Sequence, residues 1–344
     1  MSLENMKRVI YFDLLNVLAC ISVVTLHCNS YVHSFAHDAP WMRSLFSETV
    51  FYAAVPIFFM LSGATLFDFR KRDDVKTFYQ KRIKKTVVPY LIFSVGFYVL
   101  YWIKGGIKNG CLTSFNFYDF FNSIFTGHIP LAHYWFFIPL FVYYLFVPFL
   151  EKMVAYANEK FLLALLGFIF SFQTLFPVFN YYFHLSLPTS PSIYGFVAYA
   201  ILGYTLSKYN YERKNMILIF TGVGTIACWC WRYCAIYHSE SFNSFFFSYY
   251  NFYALLPAVF FFLLCKRLNP YLQECPKFAN FLKTLSSLSF GIYLLHGFVV
   301  IALPFDPSSI YGQIVKIPIA YIICALSVFF FKKVKVYAKS LMNK

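Results

Sequence analysis

Asp13, Asn16, Cys20 and His27 fall at i, i+3, i+7 and i+14 of the first long apolar run, 9–30. At about 100° per residue, that spacing places all four on one stripe of a helix whose other residues are mostly Leu, Val, Ile and Ala. Hydrocarbon cannot satisfy such a stripe, so it must face protein or a water-filled cavity. A neutral imidazole such as His27 can take a proton from a hydroxyl near neutral pH, and a carboxylate can orient the ring. Asp13 and His27 are about 21 Å apart at ~1.5 Å per residue, too far for a dyad. A polar stripe of that length predicts a path leading through the membrane.

Three more ionisable residues lie at similar depth. Glu48 marks the start of the second apolar run. His133 opens the fourth, in His133-Tyr134-Trp135-Phe136-Phe137, and His296 sits in the ninth, in Ser289-Phe290-Gly291-Ile292-Tyr293-Leu294-Leu295-His296. Each alone is equally well explained as a hydrogen-bonded residue at a helix end. His27 is the leading candidate for a catalytic base, with Glu48 and His133 beside it. A satisfied packing role suits His296 as well as a functional one.

The elements that must position these groups are membrane helices. Apolar stretches of spanning length run over 9–30, 47–68, 87–104, 134–150, 161–177, 193–207, 216–236, 249–265, 285–303 and 315–331. With the amino terminus in the cytoplasm, 24 of the 29 Lys and Arg fall in cytoplasmic segments, leaving only Arg43, Lys104, Lys108, Arg232 and Lys316 elsewhere. The opposite orientation inverts that bias. The sequence therefore predicts an all-α polytopic membrane protein of about ten transmembrane helices, both termini cytoplasmic, with residues 1–344 as one membrane domain.

Composition agrees. Charged residues make up 12% of the chain, against about 25% in soluble domains. The net charge of +15 resides in short loops, where it orients the chain and can meet anionic lipid or an anionic cytosolic ligand, so nucleic acid is not an expected partner. Lys7 and Arg8 before an apolar run imitate a signal peptide, but Asp13 and Asn16 interrupt it, and 9–30 reads as a retained first span. The nine cysteines form no CxxC pair and have no histidine at metal-ligand spacing, so they read as small apolar residues and no metal site is expected.

The loop 69–86 differs in kind. Eight basic residues satisfy the positive-inside rule by themselves. Helical periodicity also puts Phe78, Arg82 and Lys85 on one side, and Arg82 and Lys85, one turn apart and next to Lys81, could cradle phosphates. In the outer loop 105–133, a short interfacial helix is expected around Tyr118–Ile124.

Five blocks in order resemble membrane acyltransferase family 3, the multispanning O-acyltransferases of surface polysaccharides and related glycans. Tyr11-Phe12-Asp13-Leu14-Leu15-Asn16 with His27 is similar to the family's first-span motif, whose histidine is regarded as essential. Val55-Pro56-Ile57-Phe58-Phe59-Met60-Leu61-Ser62-Gly63 is similar to the second-span signature, and Lys81-Arg82-Ile83-Lys84-Lys85 before Pro89 to the basic stretch ahead of the third. The blocks ending in Phe137 and His296 resemble two further landmarks. One departure stands out: the family usually has arginine eleven residues before the histidine, where this chain has Asn16.

The resemblance implies transfer of an acetyl group from cytosolic acetyl-CoA to hydroxyls of a glycan or lipid-linked saccharide, in the cytoplasmic membrane. Succinyl transfer is a variant of the same reaction. Donor binding then falls to Arg82, Lys85 and Lys81, with Asp13 and Asn16 on the first span. Ser62 and Gly63 read as close-packing residues. The alternative class is a transporter or flippase for a glycan or its precursor, against which no pair of Gly/Pro-broken spans occupies corresponding halves.

Overall fold

The computed structural model describes residues 8–109, 115–126, 132–189, 192–239 and 245–342. They fold into helices α1 (Ile10–Cys28), α2 (Ala39–Phe51), α3 (Ala54–Leu66), α4 (Val75–Arg82), α5 (Val88–Asn109), α6 (Phe117–Thr126) and α7 (Phe137–Tyr156). After these come α8 (Glu159–Phe170), α9 (Phe176–Phe183), α10 (Ser192–Lys208), α11 (Asn215–Ser239), α12 (Phe252–Glu274), α13 (Pro276–Ala302) and α14 (Lys316–Met342). Among the described residues there is no strand.

Nine segments among the described residues are long and apolar enough to cross a membrane, and several join two helices through a short turn: Ala39–Lys71, Val75–Gly105 and Glu159–Phe183. The expected stretch 193–207 forms α10, whose 17 residues stop at the lower edge of spanning length. Of the other nine expected stretches, 47–68, 87–104, 161–177, 216–236 and 315–331 fall wholly within one of these segments, and 9–30, 134–150, 249–265 and 285–303 each overlap one, exceeding it by one to three residues at an end. The helix expected in the outer loop is present as α6, with Phe117, Tyr118, Phe121 and Phe125 exposed on it.

Local chemistry sets the helix ends. Asp38, Asp74 and Asn158 accept from the backbone N–H groups of Trp41 (2.7 Å), Thr77 (3.0 Å) and Phe161 (2.9 Å), capping α2, α4 and α8. Inside the spans, hydroxyls return to their own helix, as Ser62 does to the Phe58 carbonyl (2.9 Å) and Thr225 to that of Thr221 (2.8 Å). Lipid-facing surface explains why Phe149, Phe220 and Phe331 are exposed in a protein that buries so much else.

The chain divides into two compact units: residues 1–65 with 157–344, and residues 66–156. In the larger unit, Cys20, Val24 and Cys28 of α1 pack with Leu288 and Ile292 of α13 and with Ala320 and Cys324 of α14. In the same unit α3 and α10 approach through glycine. A Cβ on Gly63 would stand 2.7 Å from the Ala200 Cα and closer to its carbonyl, and one on Gly203 would strike the Met60 backbone. Gly63 is thus a close-packing residue, as expected of small residues between membrane helices. Of the described cysteines, Cys20, Cys28, Cys228, Cys265 and Cys324 are buried, while Cys230, Cys234 and Cys275 are exposed.

The smaller unit holds α4 to α7. Arg70 pairs with Glu151 (2.6 Å) and Phe69 packs on Phe78 (4.5 Å), tying the start of the unit to α7 and α4. Between α4 and α5, residues 83–87 make a π turn.

Candidate active site

The stripe on α1 is met, residue by residue, by a second stripe on α13. Asn16 donates to the Ser286 carbonyl (3.1 Å) and hydroxyl (2.9 Å), Cys20 lies 3.7 Å from the Ser289 carbonyl, and His27 Nδ1 lies 2.8 Å from His296 Nε2. Partners climb both helices together at an offset of 269 or 270 residues, so α1 and α13 run parallel and in register. Ser286, Ser289, Tyr293 and His296 are spaced three or four apart, which puts them on one face of α13. The seam, rather than a path through the membrane, accounts for the polar stripe. Between Asn16 and His27 it is closed by the apolar cluster of Val24, Leu288 and Ile292.

At the lower end Asp13, 4% exposed, is held bidentately by Arg8, through Nε at 2.8 Å and Nη2 at 2.5 Å. Arg8 also donates to the Lys283 carbonyl (3.4 Å). Asp13 thus has an arginine partner, five residues earlier in the chain. Arg8 escaped sequence reasoning because it looked like an ordinary positive-inside residue.

At the upper end His296 is fully buried, and its Nδ1 lies 2.5 Å from the Tyr293 carbonyl. The two imidazoles stand with centroids 4.8 Å apart and planes 28° apart. With nitrogens only 2.8 Å apart, that is an edge-to-edge contact suited to an in-plane hydrogen bond.

Glu48 is buried nearby in sequence terms, on α2, but its carboxylate is engaged by Asn29, the residue that ends α1, at 3.2 Å. Asn29 also donates to the Ser44 carbonyl (2.8 Å) and accepts from the Ser44 hydroxyl. Arg232, wholly buried on α11, donates to the Glu48 backbone carbonyl and to the Phe246 carbonyl, both at 2.9 Å, and stacks its guanidinium 3.9 Å from the Tyr52 ring centre. Glu48 is thus part of a polar knot that fixes α1, α2 and α11. Arg232 was legible in the sequence as a cation inside a span, and that alone marks a residue with a specific partner.

The remaining candidates belong to the smaller unit. His133 is half-buried, its ring 4.6 Å from that of Phe97 and 4.1 Å from that of Tyr134. Arg82 is half-buried with its guanidinium 5.7 Å from the rings of both Phe78 and Tyr144. Lys81 pairs with Asp73, and Lys85 is exposed. Lys85 lies within the π turn that begins at Ile83, one turn after Arg82.

An all-helical membrane protein with a histidine pair, His296 buried and His27 half-buried, at the end of an interhelical polar seam is the frame into which the comparison falls. The family model described as an acyltransferase domain, acyltransferase family 3, matches residues 9–332, and the chain belongs to that family. Neither a curated protein nor a solved structure matches the chain.

Proposed function

We propose that this membrane acyltransferase moves an acetyl group from cytosolic acetyl-CoA to hydroxyls of a surface polysaccharide or lipid-linked glycan, with His27 as the general base. The observation that carries the reading is the His27–His296 pair at one end of the α1–α13 seam in a chain of acyltransferase family 3. An imidazole held by a second imidazole is suited to proton transfer and has no other evident purpose among apolar neighbours. In the reaction His27 takes the proton of the acceptor hydroxyl as its oxygen attacks the thioester carbonyl. The new C–O bond forms, the C–S bond breaks, and the departing thiolate takes the proton from His27, which returns to its starting state.

The phosphates of the donor are assigned to Arg82 and Lys85, with Lys81, on the cytosolic side, where charge-assisted hydrogen bonds would hold them. Asp13 and Asn16 enter through the first-span motif, Asn16 in place of the usual arginine. Orientation follows the basic residues: both chain ends lie in the cytosol, α10 crosses as well and brings the spans to ten, and the protein resides in the cytoplasmic membrane.

The test uses purified protein in nanodiscs with labelled acetyl-CoA and, in cells, the mass of the surface glycan with and without the protein. An offset of one acetyl group is expected, abolished in His27→Ala protein that still inserts and folds. An offset of one succinyl group would redirect the donor. Full acetylation by His27→Ala would remove His27 from the mechanism, and flux of glycan without acylation would point to transport.

A further inference from the structure

His27 and His296 present four ring nitrogens, and the positions of two of their protons follow from what each nitrogen faces. The Tyr293 carbonyl oxygen, 2.5 Å from His296 Nδ1, can only accept, so His296 Nδ1 carries a proton. In a neutral ring that is the only proton, and His296 Nε2 is left with a lone pair. The atom 2.8 Å from that lone pair is His27 Nδ1, which must then be the donor. The single proton of a neutral His27 is spent there, and its Nε2 holds the free lone pair.

The alternative assignment reverses the interimidazole bond, with His296 protonated on both nitrogens and His27 Nδ1 accepting. That would place a full charge on a ring with no exposed surface, at a large desolvation cost. The chain of donors therefore runs one way: His27 Nδ1–H to His296 Nε2, and His296 Nδ1–H to the Tyr293 carbonyl.

We infer that His296 is a positioning residue that locks His27 in the Nδ1–H tautomer, making Nε2 of His27 the atom that accepts the hydroxyl proton. The inference rests on the reading of His27 as the base and specifies which atom acts. When Nε2 takes the proton, the positive charge formed on His27 stays hydrogen-bonded through Nδ1 to a neutral imidazole, itself backed by a carbonyl dipole. No atom needs to move for that stabilisation to operate. The backbone carbonyl does here what a carboxylate does in the serine-protease arrangement, at a depth where a carboxylate would itself be costly.

Solution or solid-state ¹⁵N NMR of histidine-labelled protein in nanodiscs reads tautomers directly, independently of any acyl transfer. The His27 signals are assigned by their loss in His27→Ala. In the wild type His27 should be Nδ1–H, with an unprotonated Nε2. His296→Phe, which removes the acceptor, should release His27 to the Nε2–H form and lower glycan acetylation by about 10²–10⁴-fold, the usual worth of a positioned base. His296→Gln, whose amide oxygen can accept the Nδ1 proton and whose amide nitrogen can donate to Tyr293, should keep the Nδ1–H form and recover part of the activity. A wild-type His27 protonated on Nε2, or a His296→Phe protein that folds and retains the Nδ1–H tautomer, overturns the inference. Since the wild-type spectrum is decisive alone, a His296→Phe chain that fails to fold does not shelter it. An Nδ1–H tautomer in a protein that transfers no acetyl would leave the tautomer assignment standing and sink the proposed reaction instead.

Discussion

Replacing Gly63 by alanine should separate two helices whose backbones now touch. The added Cβ would meet the Ala200 Cα at 2.7 Å, whereas ordinary contact begins at 3.4 Å, so α3 and α10 must part by at least 0.7 Å. The obstacle is backbone, which cannot swing aside as a side chain can. Overpacking of this kind costs about 1–3 kcal/mol. Alanine's better helix propensity returns up to about 1 kcal/mol, which leaves a net loss of up to ~2 kcal/mol. Gly167 supplies the control, because a Cβ there meets nothing within 4 Å, and Gly167→Ala should be neutral or stabilising. Gly203→Ala strikes the Met60 backbone across the same contact. Once one substitution has opened the gap the second finds room, so the double variant should lose clearly less than the two single losses combined. Reversible unfolding in mixed micelles with increasing sodium dodecyl sulfate, followed by tryptophan fluorescence, measures all four. A Gly63→Ala protein as stable as Gly167→Ala would refute the close approach of α3 and α10, and full additivity would show that the two glycines do not share one contact.

Substitutions at Arg232, Arg8 and Asn16 test the polar contacts inside the larger unit. Arg232→Ala removes the donor to two buried carbonyls and should destabilise by about 2–5 kcal/mol in the same assay, with Arg232→Lys recovering less than half because an ammonium lacks the planar fork. Arg8→Ala strips the partner from buried Asp13. Because Arg8 is half exposed, the loss should be nearer ~1–2 kcal/mol than the ~3–5 of a fully buried pair. Asn16→Arg, one turn from Asp13, should restore most of that loss in the Arg8→Ala background and little in the wild type.

Much of this protein is determined by its sequence alone. Apolar stretches of spanning length, basic residues between them and a four-residue polar stripe were enough to define an all-α polytopic membrane protein, because lipid permits few alternatives for a backbone that must satisfy itself. The same stripe singled out His27, and five ordered blocks pointed to the acyltransferase family. Partners were another matter. Periodicity says that Asp13, Asn16, Cys20 and His27 share a face, but not that α13, some 270 residues later, presents Ser286, Ser289 and His296 to it in register. Nor could it show that Arg8 serves Asp13 or that Glu48 answers to Asn29. Helical spacing is a local property, fixed by 3.6 residues per turn. Which polar group fills a neighbour's need depends on the lateral order and register of whole helices, and those are set only when the helices pack.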